Sequence, residues 1–432
     1  MEDKIYTGFE LSESYARALD HKDPLRRFRG QFHINDENTI YLDGNSLGRL
    51  PLKTKQLISE VTNKQWGNQL IESWNQHWYE KPGQLGDKIA PVIGATQGEV
   101  IVSDSTSVNL YKLASAALRF QEGKNRIVSD RFNFPTDLYI LEGLLKEFDP
   151  GYHIELAGSP DNISIDTNEL KAKITGQTAL VVLSMVAFKS SYLYDAAEIT
   201  DYAHQMGAMV LWDLSHAAGS VPTNLNLIKA DLAVGCTYKY LNGGPGSPAF
   251  LYVRKDLQDK LQSPIQGWFG DHQPFRFDMS YQPATGIRRF LAGTPPVISL
   301  MAIDPGIDLL REAGMEKIRQ KSILQTSYFL FLAREKLGAL GFYSGSPAEQ
   351  KHRGAHVSLK HPESYRICQA LINPNQSPLT IIPDFREPDN IRFGLAPLYT
   401  SFFEIWQTIT RLKEIMKTRE YEKFEVSRKP VT

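Results

Sequence analysis

The sequence predicts an α/β fold, with a mostly parallel seven-stranded sheet between helices and a smaller C-terminal α+β domain. Three observations predict it. From Glu99 onward, seven short apolar runs alternate with helical stretches; such alternation gives parallel strands joined by crossover helices. Gly243-Gly244-Pro245-Gly246 separates the last two runs and lets the final strand reverse direction. Pro295-Pro296 then precedes a long helical stretch, which marks a domain boundary.

Residues 1–45 read as an N-terminal arm, with an amphipathic helix from Leu11 to Leu19 and a short strand, Thr39-Ile40-Tyr41-Leu42. Residues 46–296 form the large domain. It opens with a helix from Leu52 to Trp66, a Trp-rich loop and a helix near Gly86 to Ile93. The strand candidates are Val100 to Val102, Arg126 to Val128, His153 to Leu156, Ala179 to Ser184, Ala208 to Trp212, Leu232 to Gly235 and Ala249 to Val253. Helices fill Val108 to Arg119, Thr136 to Glu147, Thr167 to Ile174 and Ala196 to Met206. Residues 297–432 form the small domain, packed with the N-terminal segment. Its helical stretch, Val297 to Arg311, continues into Met315 to Leu337, and its strands include Gly354 to Leu359 and Asn390 to Gly394. The tail, Glu422 to Thr432, is expected to be loosely held.

A chain of 432 residues with 42% hydrophobic and 22% charged residues is of ordinary globular composition. The net charge of -1 and the lack of a basic block argue against nucleic-acid binding. Cys236 and Cys368, the two cysteines, offer neither a disulfide framework nor a metal site. The charged N-terminus, Met1 to Tyr6, has no apolar signal core, and no apolar run is long enough to span a bilayer. A cytoplasmic protein without membrane or metal is expected.

The chemistry centres on two strand ends. The run Ala208 to Trp212 ends in Asp213, with His216 three residues on; Lys239 follows the run Asp231 to Gly235. An acid and a lysine so placed suit pyridoxal 5'-phosphate (PLP). Lys239 forms the Schiff base, and Asp213 keeps the pyridine nitrogen protonated so that the ring accepts electrons. The segment Ser103 to Asn109, with Thr106 and Ser107, follows a strand and opens a helix. It offers phosphate donors, or simply a helix cap. Tyr238 adds a phenolic donor beside it. Phe134 stands where it can stack on the ring; in the same segment Pro135 precedes Thr136, read as a helix N-cap, and Asp137, read as a first-turn acid. Arg392, in a strand pattern before a Pro-containing turn, has the guanidinium geometry to bind a substrate carboxylate.

Taken together, Tyr41 to Gly48, Trp212 to Gly219, Cys236 to Gly246, Gly267-Trp268-Phe269-Gly270, Gly293-Thr294-Pro295-Pro296 and Asn390 to Tyr399 resemble kynureninase, a fold-type I PLP-dependent family. The likeness runs from about residue 7 to residue 417. It implies Lys239 as the Schiff-base lysine and Asp213 as the pyridine partner, with His216 beside the cofactor. Thr106, Ser107 and Tyr238 take phosphate-side positions, Phe134 the stacking position, and Pro135, Thr136, Asp137 and Ser184 cofactor-side positions. Trp268 and Thr294 reach the phosphate across a homodimer interface, and Arg392 binds the carboxylate. Ser46, Trp74, His77 and Trp78 are candidates for the aryl pocket. Thr294 stands where animal members tend to carry Asn, which favours kynurenine over 3-hydroxykynurenine. One stretch, Met185 to Ser191, departs from the family's His-Val-x-aromatic-x-Thr-Gly run.

The implied reaction is hydrolysis of the Cβ–Cγ bond of L-kynurenine to anthranilate and L-alanine, with Tyr238 also a candidate proton shuttle. A class V aminotransferase or a cysteine desulfurase-like lyase shares the Asp and Lys framework. A desulfurase needs a cysteine on a mobile loop; Cys236 reads as strand, and Cys368 lies in the helical pattern Ser364 to Leu371. A non-catalytic protein on the same fold is the remaining alternative, disfavoured because Lys239, Asp213 and Arg392 are all present.

Overall fold

The computed structural model describes residues 8–375 and 377–425. The charged N-terminal segment Met1 to Tyr6 and the last residues of the tail lie outside them. The described part of that tail is held, because Arg366 donates to the carbonyl oxygens of Glu422 (2.7 Å) and Phe424 (2.8 Å).

The chain begins with α1 (Glu13–Lys22) and the strand β1 (Thr39–Tyr41). Next come α2 (Leu52–Glu60) and α3 (Lys81–Ile93). Between them α2 runs on as a wider helical turn through Val61–Gln69, and Trp74–Trp78 is helical rather than the predicted loop. α3 begins a turn before the predicted Gly86, with Pro82 in its first turn, where proline's missing N–H would be unpaired anyway.

The large domain then alternates β2 (Val100–Val102), α4 (Thr106–Phe120), β3 (Arg126–Asp130), α5 (Pro135–Leu145), β4 (His153–Ala157), α6 (Thr167–Lys173), β5 (Thr178–Ser184), α7 (Ala196–Gln205), β6 (Met209–Asp213), β7 (Leu232–Gly235) and β8 (Phe250–Val253). The sheet order is β2-β8-β7-β6-β5-β3-β4. Only β8 is antiparallel to its neighbours. It reverses direction relative to both β7 and β2, so those two and the other four strands all run the same way. Every residue of β5 and β6 is buried, as in a sheet covered on both faces. Val181, Leu183, Val210 and Trp212 meet one apolar layer; Leu180, Val182, Met209 and Leu211 meet the other. Each such buried side chain contributes roughly 1.5–3 kcal/mol.

The predicted long helix after Pro296 is three helices, α8 (Val297–Ala302), α9 (Asp304–Ala313) and α10 (Met315–Leu337). Pro305 starts α9, and Gly314 at φ +81° separates α9 from α10. The small domain continues with β9 (Tyr343–Ser344), β10 (His356–Lys360), α11 (Ser364–Ile372), β11 (Thr380–Ile382), β12 (Asp384–Arg386), β13 (Asn390–Gly394) and α12 (Phe402–Thr418). Its four-stranded sheet has the order β12-β13-β10-β9, and β1 pairs with β11 in parallel. The N-terminal arm is fastened here. Asp20 of α1 accepts from the backbone N–H of Phe402 (2.7 Å) and Phe403 (3.0 Å), capping α12.

Candidate active site

Six strands share one direction, so their carboxyl ends share one edge of the sheet, where ligands bind in open α/β folds. Ser103 to Ser107 follow β2, Asn133 to Asp137 follow β3, Ser184 ends β5, Asp213 ends β6 and Cys236 to Lys239 follow β7. Sequence segments more than a hundred residues apart therefore meet along that edge.

Lys239 is buried, and its Nζ lies 3.3 and 3.5 Å from the two ring nitrogens of His216. Nζ is also 5.8 Å from the centre of the Phe134 ring and 5.9 Å from that of Tyr238. Burial pushes the amine pKa down, Asp213 and Cys236 pull it up, and Arg392 lowers it further. Burial likewise holds His216 well below the ordinary imidazole range, helped by Lys239 and Arg392. His216 is thus neutral beside the amine. His356 on β10, with its ring 5.6 Å from that of His216, is driven down by burial, Arg392 and Lys239.

Asp213 is fixed by its neighbours. Ser215 donates to Oδ1 through its N–H (2.8 Å) and its Oγ (2.6 Å), a tight local turn. Ser184, opposite it in the β5–β6 register, donates to Oδ2 at 3.3 Å and to Asn133 Oδ1 at 2.8 Å. Asp137 is buried nearby, and its carboxyl is held well above the usual range by burial and by Asp213. Its Oδ2 has no hydrogen-bond partner among the described residues.

The other end of the site is built by the small domain. Arg392 on β13 is buried. It donates to Phe188 O (2.6 Å), Ser46 Oγ (2.9 Å) and Asp384 Oδ2 (2.6 Å). Asp384 stands opposite Arg392 in the β12–β13 register and also accepts from Ser46 (3.0 Å) and Arg386 (2.7 Å). The departing stretch Met185 to Ser191 therefore supplies the Phe188 carbonyl to Arg392. The Phe188 ring also meets Phe134 edge-on, with centroids 5.3 Å apart. Ser46 sits in the turn after β1; two residues on, the Gly48 N–H donates to Tyr238 O (2.8 Å).

The remaining predicted residues are spread more widely. Thr106 and Ser107 open α4, where Ser105 is the cap and accepts from Val108 N–H (3.3 Å). Phe134, not Thr136, occupies the N-cap position of α5, because Pro135 takes the first helical position. Asp137 is the first-turn acid. Trp74 packs on Trp78 and Phe269, His77 is half-buried on the same turn, and Trp78 donates to Gln65 Oε1 (2.8 Å). Trp268 is 37% exposed and contacts Phe269, Phe275 and Phe277. Thr294 is exposed on an adjoining segment. Sequence reasoning missed Asn133, Ser215, His356 and Asp384. The Asp-x-Ser turn at Asp213 was a readable signal for Ser215; the others depend on strand register.

The residues fit PLP. A buried amine of lowered basicity, a clamped carboxylate at the next strand end, an orphaned buried carboxyl oxygen on Asp137 and a partly exposed aromatic face at Phe134 are its donor set. Lys239 would hold the aldehyde and Asp213 the ring nitrogen. Fold and site together define a fold-type I PLP-dependent enzyme. Among solved structures, a cysteine desulfurase from Thermococcus onnurineus NA1 superposes with a TM-score of 0.75 at 20% identity, covering 93% of this chain and 98% of that one. C-DES, with glycine covalently linked to its PLP cofactor, gives 0.73 at 19% identity, covering 88% and 97%. At such identities the likeness is one of fold. Residues 318–412 match the family described as the kynureninase C-terminal domain. The kynureninase of Pseudomonas fluorescens is 43% identical over 416 residues, 95% of this chain and 97% of its own. That of Burkholderia pseudomallei strain K96243 is 41% identical over 411 residues, 94% and 96%. The chain belongs to the kynureninase family.

Proposed function

We propose that this protein hydrolyses L-kynurenine to anthranilate and L-alanine, with 3-hydroxykynurenine as a poorer substrate. The observation that carries the reading is the convergence of Lys239, Asp213 and Arg392 in a chain 43% identical to a kynureninase over nearly its whole length. Arg392 takes the α-carboxylate and so fixes the amino-acid end of the substrate. Bound PLP supplies an electron sink for the bonds broken at Cα and between Cβ and Cγ. Lys239, its amine made less basic by burial, takes the Cα proton. Asp213, oriented by Ser215 and Ser184, keeps the ring nitrogen protonated. Water adds to the side-chain ketone, anthranilate leaves, Cβ is protonated, and Lys239 returns a proton to Cα to give L-alanine. Tyr238, whose phenol pKa is raised by the Cys236 sulfur and by burial, stays a proton donor at neutral pH. It serves the phosphate side and shuttles the Cβ proton.

Thr106 and Ser107 at the start of α4 hold the phosphate, with Pro135, Thr136 and Asp137 lining the cofactor. Trp74, His77 and Trp78 form the aryl side, and Ser46 stands beside Arg392 at the carboxylate end. A homodimer completes the site with Trp268 and Thr294 of the second copy. The support is a surface rich in exposed apolar side chains, Trp268, Phe275, Phe277 and Met279 among them. Two free, buried cysteines suit the reducing cytoplasm. The same burial disfavours desulfurase chemistry, which needs an accessible thiolate.

The test is direct. PLP-loaded protein is mixed with L-kynurenine and anthranilate is followed by fluorescence, with Lys239→Ala alongside. Anthranilate from the wild type alone is expected. A PLP-binding protein that yields none, or one that yields keto acid instead, overturns the reading.

A further inference from the structure

Lys112 lies on α4, two turns beyond its start, and is completely buried. Helical side chains lean back towards the N-terminus. The Lys112 stem does so, and its Nζ sits behind the turn that opens the helix. There it donates to Asp104 Oδ2 (2.6 Å), Phe290 O (2.6 Å) and Ser103 Oγ (3.5 Å). Ser103 in turn donates to the same Asp104 oxygen (2.8 Å), and Asn109 Nδ2 donates to Ser103 O (2.7 Å). Asp104 has φ +47°, a left-handed conformation that L-residues seldom adopt.

A buried ammonium is costly unless acceptors surround it, and this one has three. What it fixes is the left-handed residue immediately before Ser105, Thr106 and Ser107. It also ties that turn to Phe290, at the end of the short helical turn Gly286–Phe290, on the strand of chain that leads to Thr294. Nothing in the proposed chemistry uses the Lys112 amine.

We infer that Lys112 is a positioning residue for the cofactor phosphate: by clamping Asp104 it holds the first N–H and hydroxyl donors of α4 in place. This rests on the reading of the α4 start as the phosphate seat. Dissociation constants of PLP and of pyridoxal, which lacks the phosphate, are measured by cofactor absorbance for the wild type, Lys112→Met and the double variant Thr106→Ala/Ser107→Ala. Lys112→Met is expected to raise the PLP constant tenfold or more and to leave the pyridoxal constant within twofold. Equal weakening of both ligands would mean a general structural role and would overturn the inference, as would an unchanged PLP constant. If Lys112→Met does not fold, Asp104→Asn, which removes the other end of the clamp, carries the test with the same selective loss expected. The double variant separates the two claims. Selective loss there, without loss in Lys112→Met, overturns only the role of Lys112; no loss there overturns the phosphate seat and the role of Lys112 together.

Discussion

Replacing Arg392 by Lys keeps the charge and removes the fork. In the structure the guanidinium reaches in three directions, to Phe188 O, Ser46 Oγ and Asp384 Oδ2 at 2.6–2.9 Å. Its Nε has no partner among the described residues. A lysine ammonium is a point charge that cannot satisfy those acceptors and also present two parallel donors to a carboxylate. At least one charge-assisted hydrogen bond to the substrate is lost, worth roughly 1.5–3 kcal/mol, or about 10- to 150-fold in binding. Asp384 keeps Arg386 and Ser46, so the small-domain sheet survives. The carboxylate is remote from the Cβ–Cγ bond, so KM should carry most of the change and kcat little of it. The assay is anthranilate fluorescence across a kynurenine series, repeated with an analogue lacking the α-carboxylate. Wild type and Arg392→Lys should handle that analogue alike. A KM within threefold of wild type, or a loss confined to kcat, refutes the assignment.

Gly48→Ala should lower activity by tenfold or more, because a Cβ there meets the Lys239 carbonyl and Asn242 Oδ1 well inside contact distance; near-normal kcat would show that the turn can yield. Cys236→Ala should keep most of the anthranilate rate, since burial pushes that thiol up, away from the thiolate; loss of all turnover would assign the sulfur a chemical role. Burial and Asp384 raise the Asp43 carboxyl to about 6, against about 3.9 in an unfolded chain. The folded state therefore holds that proton more tightly, a stabilisation complete below about pH 4 and lost as pH rises through about 6. Burial raises Asp130 to about 6 as well, with the same sign. His216 and His356, held low by burial, act with the opposite sign, so the readout is a difference: the melting temperature of Asp43→Asn relative to wild type should rise between about pH 5 and 7.5; a constant difference would remove Asp43 from the account.

The seven strands were legible because each is a short apolar run bounded by turn residues, and the carboxyl-end motifs follow from strand direction alone. Lys239 and Asp213 could be read for that reason. The order of the strands could not, since it depends on which helices cross which face. Nor could Asp384, which meets Arg392 through the β12–β13 register, or Lys112, which reads as an ordinary charge on a helix until its burial is seen. The Trp-rich segment was misread as a loop: Trp74 packs on Trp78 and Phe269, tertiary contacts that turn a weakly periodic stretch into helix. The long helix after Pro296 was misread in the other direction, because Pro305 and Gly314 fall within an otherwise continuous apolar pattern.

The N-terminal arm and Ser46, which follows it, find partners at the far end of the chain. Ser46 meets Asp384 across 338 residues, and Asp20 meets Phe402 across 382. Contacts of such separation form late in folding. At about 5–20 residues per second, an emerging chain would keep its first fifty residues waiting for roughly 20–70 s before β11 and α12 exist to receive them. The central sheet can be built in that interval, but the pocket around its lysine cannot. The enzyme is therefore finished by the residues made last, acting on those made first.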